Sequence, residues 1–286
     1  MIKVHTAGLS DVGRVRDNNE DSLLIDEAMG LYVVADGMGG HDDGEVASRQ
    51  AVLAVHEYMK SMALGEREGE LSGSLVAGVL RKAVRSAAER LYRLSLQKPS
   101  ARGMGTTLTA LMLIDGKAVM AHVGDSRLYH YRDGGLERLS RDHTYAEMLL
   151  GTGACTAAEL EDHPLSHVLT RSLGGPPDVD IDTRVIDIDP DDTFLLCSDG
   201  LTAYASDEEL STMLGNKDVD LLGRRLINLA VARGGRDNIT VVVVRVEDVH
   251  ELNIPEDLMV LRTPTVVEME ACEPTLVMAH AKKVVD

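Results

Sequence analysis

Short runs of apolar and β-branched residues alternate with turn residues over most of the chain. The runs that predict β-strands are SLLID, LYVVAD, TTLTALMLID, KAVMAHVGD, RLYHYRD, DTFLLCSD and NITVVVVRV. Turn signals join several of them: EAMG before residue 31, IDGK around residue 116 and RDGG at 132–135. Neighbouring strands joined by such short turns are expected to form antiparallel hairpins.

Three longer segments show the three- and four-residue spacing of apolar residues that is typical of amphipathic helices. They begin at Gly44, at Leu71 and near residue 218. Between residues 143 and 175 the periodicity is lost, which predicts a partly helical insertion beside one face of the domain. Because the helices come in blocks between runs of hairpins, the pattern favours an α+β fold over an alternating βαβ fold.

After residue 247 the chain contains prolines and acids without a clear period. We interpret residues 1–247 as one domain and 248–286 as a C-terminal tail, for which an extended backbone is one interpretation. Thr263, Thr265 and Thr275 stand beside prolines in this tail. Two interpretations are open for them. A phosphothreonine here would dock on a phosphopeptide-binding domain, or the threonines are substrates of the cognate kinase.

Composition and charge narrow the range of partners. The 286 residues are 44% hydrophobic and carry 29 basic against 47 acidic side chains, a formal net charge of −18. This charge disfavours binding to nucleic acid or to an anionic membrane and favours cations and basic protein segments. The three cysteines lack CxxC spacing, and no run approaches the roughly 20 apolar residues that a bilayer crossing requires. With no signal peptide at the N-terminus, we expect a soluble cytoplasmic protein without a membrane span.

Acidic residues gather at the ends of the predicted strands. Those next to glycine or a small residue are Asp36, Asp125, Asp199 and Asp237. Glu20 and Asp21 open a further strand. A single aspartate in such a position is at least as often a turn or cap residue as a functional one. Four of them, each interpreted as following an apolar strand, would place like charges at one sheet edge. That arrangement is costly unless cations neutralise it.

The candidate ligands are all oxygen atoms, with no cysteine or histidine in zinc spacing near them. Mg²⁺ or Mn²⁺ is therefore favoured over Zn²⁺. Gly37, directly after Asp36, allows its main-chain carbonyl to turn toward a metal. A carboxylate shared by two ions about 3.5–4 Å apart suits hydrolysis of a phosphate ester. Arg16 is either a phosphate-binding fork or an ordinary exposed arginine.

Several motifs occur in the order found in one enzyme family. They are RDNNEDS, VADGMGGH, MGTT, HVGDSRLYHYRDGGLERLSRDH, LTRSLGG, LLCSDGLT and GGRDNITVVVV. Over about residues 5–247 the chain resembles bacterial metal-dependent serine/threonine protein phosphatases of the PP2C class, also called the PPM family. The resemblance implies a four-layer αββα sandwich, with two antiparallel sheets face to face, helices outside and a metal cluster at one edge.

The resemblance also implies roles for individual acids. Asp36 resembles the ligand that bridges two core Mg²⁺ or Mn²⁺ ions. Gly37 would contribute its carbonyl, and Asp199 and Asp237 would complete the first site. Asp125 together with Asp199 resembles the ligand set of a third, weaker metal site in this family.

Four further residues match positions around those metals. Glu20 and Asp21 would act mainly through waters on the ions. Asn238 would lie behind the ligands, and Arg16 resembles the phosphate-binding arginine. The stretch 143–175 resembles the flap of the family, which is expected to influence substrate access and selectivity.

The chain departs from the eukaryotic members at one position. Those proteins usually carry a histidine, proposed as general acid, where this chain has Met38, as bacterial relatives commonly do. Protonation of the leaving group would then fall to a water on the third metal or to His41, which can equally be a packing or hydrogen-bonding residue.

The leading hypothesis is hydrolysis of phosphoserine and phosphothreonine on proteins, opposing a bacterial serine/threonine kinase. A pseudophosphatase that binds a partner without catalysis is the alternative, and the loss of Asp36 or Asp199 would have favoured it. A relative acting on a dedicated phosphoserine regulator of transcription ranks third, because no sensor or partner module precedes the domain.

Overall fold

The computed structural model describes residues 2–39, 43–62, 71–97, 103–153, 155–160, 165, 168–249 and 277–279. Within these ranges the strands are β1 (Lys3–Asp11), β2 (Asp21–Asp26), β3 (Leu31–Met38), β4 (Gly105–Thr106), β5 (Leu108–Ile114), β6 (Lys117–Val123), β7 (Arg127–Arg132), β8 (Gly135–Arg138), β9 (Asp182–Asp187), β10 (Thr193–Cys197), β11 (Ile239–Asp248) and β12 (Val277–Ala279). The helices are α1 (Asp43–Met62), α2 (Gly73–Gln97), α3 (Tyr145–Thr152), α4 (Ala157–Leu160), α5 (Asp199–Thr202), α6 (Asp207–Leu214) and α7 (Val219–Ala232).

The described strands form two antiparallel sheets. One has the order β12-β1-β11-β10-β7-β8, and the other has the order β2-β3-β5-β6-β9 with β4 paired to β3. The three turns predicted from sequence do join hairpins, β2 to β3, β5 to β6 and β7 to β8. The hairpin prediction is therefore confirmed.

The apolar residues divide into three cores, which shows that the molecule has four layers. One core lies between the two sheets and contains Val34 from β3 and Val242 and Val244 from β11. The alternate residues Val241 and Val243 face the other way, toward α5, α6 and α7. Because successive strand residues point to opposite faces, the continuous valine run of β11 serves two cores at once. The third core packs α1 and α2 on the outer face of the second sheet, which confirms the αββα sandwich.

Some elements differ from the prediction. The helices predicted from Gly44, Leu71 and residue 218 begin at Asp43, Gly73 and Val219, a shift of one or two residues. Strands β1, β9 and β12 and helices α5 and α6 were not predicted. Helix α6 nevertheless carries its own signal, since Ser206 and Glu209 form a capping box at its start.

The segment 143–175 is partly helical as predicted, with α3 and α4 in its described part. Two isolated β-bridges join its ends to each other and to the domain, Thr144 with Leu169 and Leu173 with Thr106. We keep the name flap for residues 143–175. Its proposed influence on substrates stays a prediction.

In the tail, the described residues Val277–Ala279 pair with Ser10, Leu9 and Gly8 of β1. Thr263, Thr265 and Thr275 lie outside the described residues, and the domain boundary at residue 247 stays a prediction. None of the helices in the described ranges has the length and apolar character needed to cross a bilayer.

Candidate metal centre

The predicted acids meet at one edge of the sandwich because the strands that carry them are antiparallel. Asp21 and Asp36 lie opposite each other across the β2–β3 hairpin. Asp199 is the first residue of α5, directly after β10. Asp36 lies within β3 and Asp237 precedes β11, so the prediction that each aspartate follows a strand is wrong for these two residues. Asp237 reaches the same edge because β11 runs opposite to β10, with Val241 paired to Cys197.

The electrostatics of Asp36 show that these acids share one site. Loss of hydration raises the pKa of Asp36 well above its usual value, and the negative charges of Asp21, Asp199, Asp125 and Asp237 raise it further, in that order. A carboxylate surrounded by four others favours protons or cations as neighbours.

Asp21 is the buried carboxylate that indicates most directly that this edge favours a cation. Its side chain is 2% exposed, and its Oδ2 atom accepts a hydrogen bond from the Ser198 hydroxyl at 2.7 Å. Its Oδ1 atom is buried with no hydrogen-bond partner. Burial raises the pKa of Asp21 to about 7, although the nearby hydroxyls of Thr240 and Ser198 act in the opposite direction. An unsatisfied buried carboxylate oxygen is costly, and a nearby hard cation would relieve that cost.

Asp125 lies in the turn between β6 and β7, on the same edge. Burial raises its pKa to about 7, and the charge of Asp199 is the next contribution. Gly124 before it adopts a φ of 109°, and a Cβ atom there would lie 2.6 Å from the side chain of Thr107. The turn therefore requires glycine at position 124.

The acidic side chains at this edge do not complete a metal site by themselves. Across the described ranges, no three histidine, cysteine, aspartate or glutamate side chains are grouped so as to enclose a metal ion by themselves. Main-chain carbonyls and waters would have to complete the coordination, which is the usual situation for Mg²⁺ in proteins. The oxygen donors of these carboxylates, with the unsatisfied Oδ1 atom of Asp21 among them, fit hard divalent cations.

Close packing explains two of the glycines at this edge. A Cβ atom on Gly37 would lie 2.1 Å from the carbonyl oxygen of Gly44 and 2.5 Å from that of Glu20. A Cβ atom on Gly44 would lie 2.5 Å from the Glu20 carboxylate. The N-terminal turn of α1 therefore rests directly on β3 and on Glu20, and the Gly37 N–H donates to the Glu20 carbonyl at 3.1 Å.

Asn238 organises the loop that leads to Glu20. Its Oδ1 atom accepts from the Glu20 N–H at 2.8 Å, and its Nδ2 atom donates to the carbonyls of Val12 and Asn18 at 3.0 and 2.9 Å. The residue is almost fully buried. Its contacts hold the main chain of the loop before β2, and its predicted place behind the metal ligands stays a prediction.

Arg16 lies at the entrance to the acidic edge. Its Nη2 atom donates to Asp237 Oδ2 at 2.8 Å, and about half of its side chain is exposed. The hydrogen bond to Asp237 raises the pKa of Arg16, and the charges of Glu20 and Asp36 act in the same direction. Arg16 is therefore an accessible guanidinium directly beside the acids, as a phosphate-binding residue would need to be.

Four hydroxyl residues that hold the acids were not predicted as part of the site. The Thr240 N–H donates to Ser198 Oγ at 2.9 Å, which orients the Ser198 hydroxyl toward Asp21. The Asp36 N–H donates to Thr107 Oγ1 at 2.9 Å, and the Thr107 hydroxyl is 2.7 Å from that of Ser126. Ser198 and Ser126 are next to predicted acids, Thr107 belongs to the MGTT motif and Thr240 to the GGRDNITVVVV motif, and these positions are the signal that could have identified them.

The predicted proton donor of the site has no described side chain. Met38 is the last residue of β3, and its thioether cannot donate a proton. His41 lies outside the described residues, so its role stays a prediction.

Comparison with known proteins agrees with this geometry. The sequence profile of the family Protein phosphatase 2C matches residues 14–232. The serine/threonine phosphatase stp of Listeria welshimeri is 35% identical over 245 residues, which cover 84% of this chain and 95% of that protein. The serine/threonine protein phosphatase PstP of Mycobacterium tuberculosis is 39% identical over 242 residues, or 85% of this chain. The chain spans 45% of the length of that second relative.

Solved structures agree as well. The catalytic domain of serine/threonine protein phosphatase PstP in complex with two manganese ions superposes with a TM-score of 0.75 at 36% identity, covering 87% of this chain and all of that one. The chain belongs to the protein phosphatase 2C family, as its motifs predict.

Proposed function

We propose that the protein hydrolyses phosphoserine and phosphothreonine on proteins, with Mg²⁺ or Mn²⁺ at the acidic edge. The observation that carries this proposal is the buried, unpartnered Oδ1 atom of Asp21 beside Asp36, with the accessible Arg16 at the entrance. When bound, a pair of such ions supplies an activated water as the nucleophile for a phosphate ester.

The chain's own residues divide this work among them. Asp36, the Gly37 carbonyl, Asp199 and Asp237 would hold the two core ions, and Asp125 with Asp199 would hold a weaker third. Glu20 and Asp21 would accept hydrogen bonds from waters on those ions, with Asn238 fixing the main chain of Glu20 at 2.8 Å. Arg16 would orient the substrate phosphate through two parallel N–H donors. His41 remains a candidate donor of the leaving-group proton.

The pseudophosphatase alternative has no support, since the chain carries Asp36 and Asp199, whose loss would have favoured it, and the relatives are named as phosphatases. A cognate serine/threonine kinase as opponent, and phosphothreonine in the tail as a docking element, remain proposals. A cytoplasmic location is likewise a proposal, supported by two cysteines without disulfides, Cys155 and Cys197.

The experiment compares hydrolysis of a phosphothreonine peptide and a phosphotyrosine peptide by the wild type, with MnCl₂ and with EDTA. Asp36→Asn removes the bridging charge, and we expect it to lower turnover by at least about a thousandfold because the two ions lose their shared ligand. Asp133→Asn is the matched control, since Asp133 occupies an exposed turn with a φ of 51° that asparagine tolerates.

Turnover that requires MnCl₂, prefers phosphothreonine, survives in Asp133→Asn and disappears in Asp36→Asn would establish the activity. Folded wild-type protein that binds Mn²⁺ but leaves phosphothreonine and phosphoserine peptides intact would exclude it. Turnover that continues unchanged in EDTA would exclude the metal mechanism.

A further inference from the structure

The two halves of β1 differ in how their outer edge is protected. On the inner side, β11 pairs with β1 over the whole range Lys3–Asp11, whereas on the outer side β12 pairs only with residues 8–10. No described strand pairs with the outer side of the N-terminal half, which carries the exposed side chains of Lys3 and His5. Exposed lysines are a common protection of a strand edge. The half that β12 covers has no such side chain of its own.

The segment on this edge matches it in chemistry. β12 belongs to the stretch PTLVMA at residues 274–279, which carries no charge, although the tail as a whole has more acidic than basic side chains. Residues 7–10 of β1, AGLS, are uncharged as well. Two such strands pair without removing a charge from water, and their main-chain hydrogen bonds supply the affinity, as in other complexes formed by strand addition.

The direction of β12 brings the tail close to the acidic edge. Val277, the first residue of β12, pairs with Ser10 near the C-terminal end of β1, and the two strands are antiparallel. From that end of β1 the chain continues into the loop 12–20, which carries Arg16 and leads to Asp21 at the start of β2. The tail therefore contacts the domain directly beside the loop of the proposed phosphate-binding group.

Ser10 connects the paired edge to this loop. Its hydroxyl accepts a hydrogen bond from Asn19 Nδ2 at 2.8 Å and lies 2.7 Å from the Thr240 hydroxyl. Asn19 in turn accepts from the Asp21 N–H through its Oδ1 atom at 3.1 Å. Ser10 is 3% exposed, so these contacts lie in buried surroundings. A strand that holds the main chain of Ser10 from outside therefore also limits the movement of the loop that ends at Asp21.

We propose that the outer edge of β1 at residues 8–10 is a strand-addition site, that segment 277–279 of the same chain is its resident occupant, and that occupancy steadies the loop 12–20. The inference rests on the proposed function only in assigning the substrate phosphate to Arg16. The tail then acts as a built-in regulator, because release of the segment loosens the loop and weakens binding of a phosphorylated substrate.

A pair of prolines removes the strand without shortening the chain. Successive N–H groups of a strand point to opposite sides, so either Val277 or Met278 directs its N–H group toward β1. The double variant Val277→Pro/Met278→Pro removes that group whichever residue carries it, and proline does not support pairing inside a sheet. Val284→Pro/Val285→Pro is the matched control, because it places two prolines in the same tail beyond the paired segment.

The first measurement is hydrogen exchange of the full-length proteins. In Val277→Pro/Met278→Pro we expect peptides covering 3–11 and 12–20 to exchange at least about tenfold faster than in the wild type, because the edge loses main-chain hydrogen bonds. The control variant should exchange at the wild-type rate, and peptides of α2 should be unchanged in both variants, which excludes general unfolding. Faster exchange in 3–11 alone would support the strand-addition site and overturn its link to the loop.

The second measurement returns the segment as a separate peptide. A peptide of residues 274–280, PTLVMAH, is titrated into Val277→Pro/Met278→Pro while the amide signals of residues 8–10 are followed by NMR. We expect saturable shifts with a Kd of about 0.1–1 mM, because the tether in the native chain supplies an effective concentration in about the millimolar range. The same peptide with both proline substitutions should not bind.

Light scattering identifies whose segment occupies the edge. A monomeric wild type whose exchange does not depend on protein concentration would support a segment from the same chain. A wild-type dimer that Val277→Pro/Met278→Pro converts to a monomer would overturn that assignment in favour of a second copy.

These readouts also separate the inference from the proposed function. With a phosphothreonine peptide as substrate, Val277→Pro/Met278→Pro should raise KM about fivefold, with a smaller change in kcat, and the control variant should not. A protein that shows the exchange difference and binds PTLVMAH, yet cleaves no phosphopeptide, would retain the strand-addition site and lose the function. Equal exchange in the wild type and in Val277→Pro/Met278→Pro, without binding of the peptide, would overturn the inference even in an active phosphatase.

Discussion

Arg16 donates a hydrogen bond from Nη2 to Asp237 Oδ2 at 2.8 Å, so the proposed phosphate-binding group is paired with a proposed metal ligand. In this arrangement the guanidinium serves as the countercharge of the acid. A cation at Asp237 would take over that role and leave the guanidinium available to phosphate. Metal binding and substrate binding are then linked through one ion pair.

Arg16→Lys tests this relationship. Lysine keeps the charge but loses the planar fork, so we expect KM for a phosphothreonine peptide to rise about tenfold, with a smaller change in kcat. Arg14→Lys is the matched control, because Arg14 belongs to the same loop, is exposed, and donates its main-chain N–H to the Gly235 carbonyl at 2.6 Å, a bond that the substitution keeps. Steady-state kinetics at saturating MnCl₂ measure the effect. Equal KM values for the two variants would remove Arg16 from the phosphate site.

The raised pKa values of Asp21 and Asp125, both about 7, predict how metal and pH act together. The usual pKa of an aspartate is about 3.9, so between about pH 4 and pH 7 the folded protein holds protons that the unfolded chain releases. These two groups therefore make the metal-free fold less stable as pH rises through that window, and the full loss is present above pH 7. Bound Mn²⁺ takes the place of the protons on these two carboxyls, so it restores the free energy of unfolding that their ionisation costs.

We accordingly expect MnCl₂ to raise Tm more at pH 8 than at pH 5.5. Comparing melts with and without metal at one pH cancels the groups remote from the site. In unbuffered solution, each ion bound should release more protons at pH 6.5 than at pH 8.5. The same Tm gain at both pH values would contradict the assignment of these carboxyls to the metal centre.

Ser198→Ala tests the hydroxyl that holds Asp21. It removes the donor to Asp21 Oδ2 at 2.7 Å and the acceptor for the Thr240 N–H at 2.9 Å, both in buried surroundings. We expect a loss of about 1–3 kcal/mol in the free energy of unfolding, together with weaker Mn²⁺ binding. Urea unfolding and calorimetry measure the two effects.

Ser206→Ala is the control for that change. Ser206 caps α6 by accepting a hydrogen bond from the Glu209 N–H, and it lies away from the acids of the candidate metal centre. Its loss should cost about 1 kcal/mol of stability and leave Mn²⁺ affinity at the wild-type value. If both serine variants lower Mn²⁺ affinity equally, the effect comes from general destabilisation and not from Asp21.

The hairpins, the long helices and the strand-end acids could be predicted because their signals are local. EAMG, IDGK and RDGG each specify a turn between neighbouring strands, and the continuous valine run of β11 is typical of a strand buried on both faces. The four-layer arrangement required the family resemblance, since local patterns do not say which sheet packs on which.

The missed features depend on contacts between distant parts of the chain. Strand β9 is an edge strand whose alternate residues are exposed, so it lacks a continuous apolar run. The role of Ser198 depends on the backbone group that lies beside it, the N–H of Thr240, and no spacing rule within its own segment supplies that information.

Gly37→Ala tests whether the metal edge depends on backbone packing as well as on charge. The new Cβ would lie 2.1 Å from the Gly44 carbonyl oxygen and 2.5 Å from that of Glu20, both main-chain atoms that cannot rotate away. The N-terminal turn of α1 must therefore shift, and we expect the free energy of unfolding to fall by about 3 kcal/mol or more, with much weaker Mn²⁺ binding.

Gly78→Ala is the matched control, because a Cβ there meets nothing within 4 Å and the residue lies inside α2. Alanine in that helix should add up to about 1 kcal/mol and leave the metal centre unchanged. Urea unfolding and MnCl₂ calorimetry of both variants decide the matter: wild-type stability and Mn²⁺ affinity in Gly37→Ala would mean that α1 does not need to lie so close to β3.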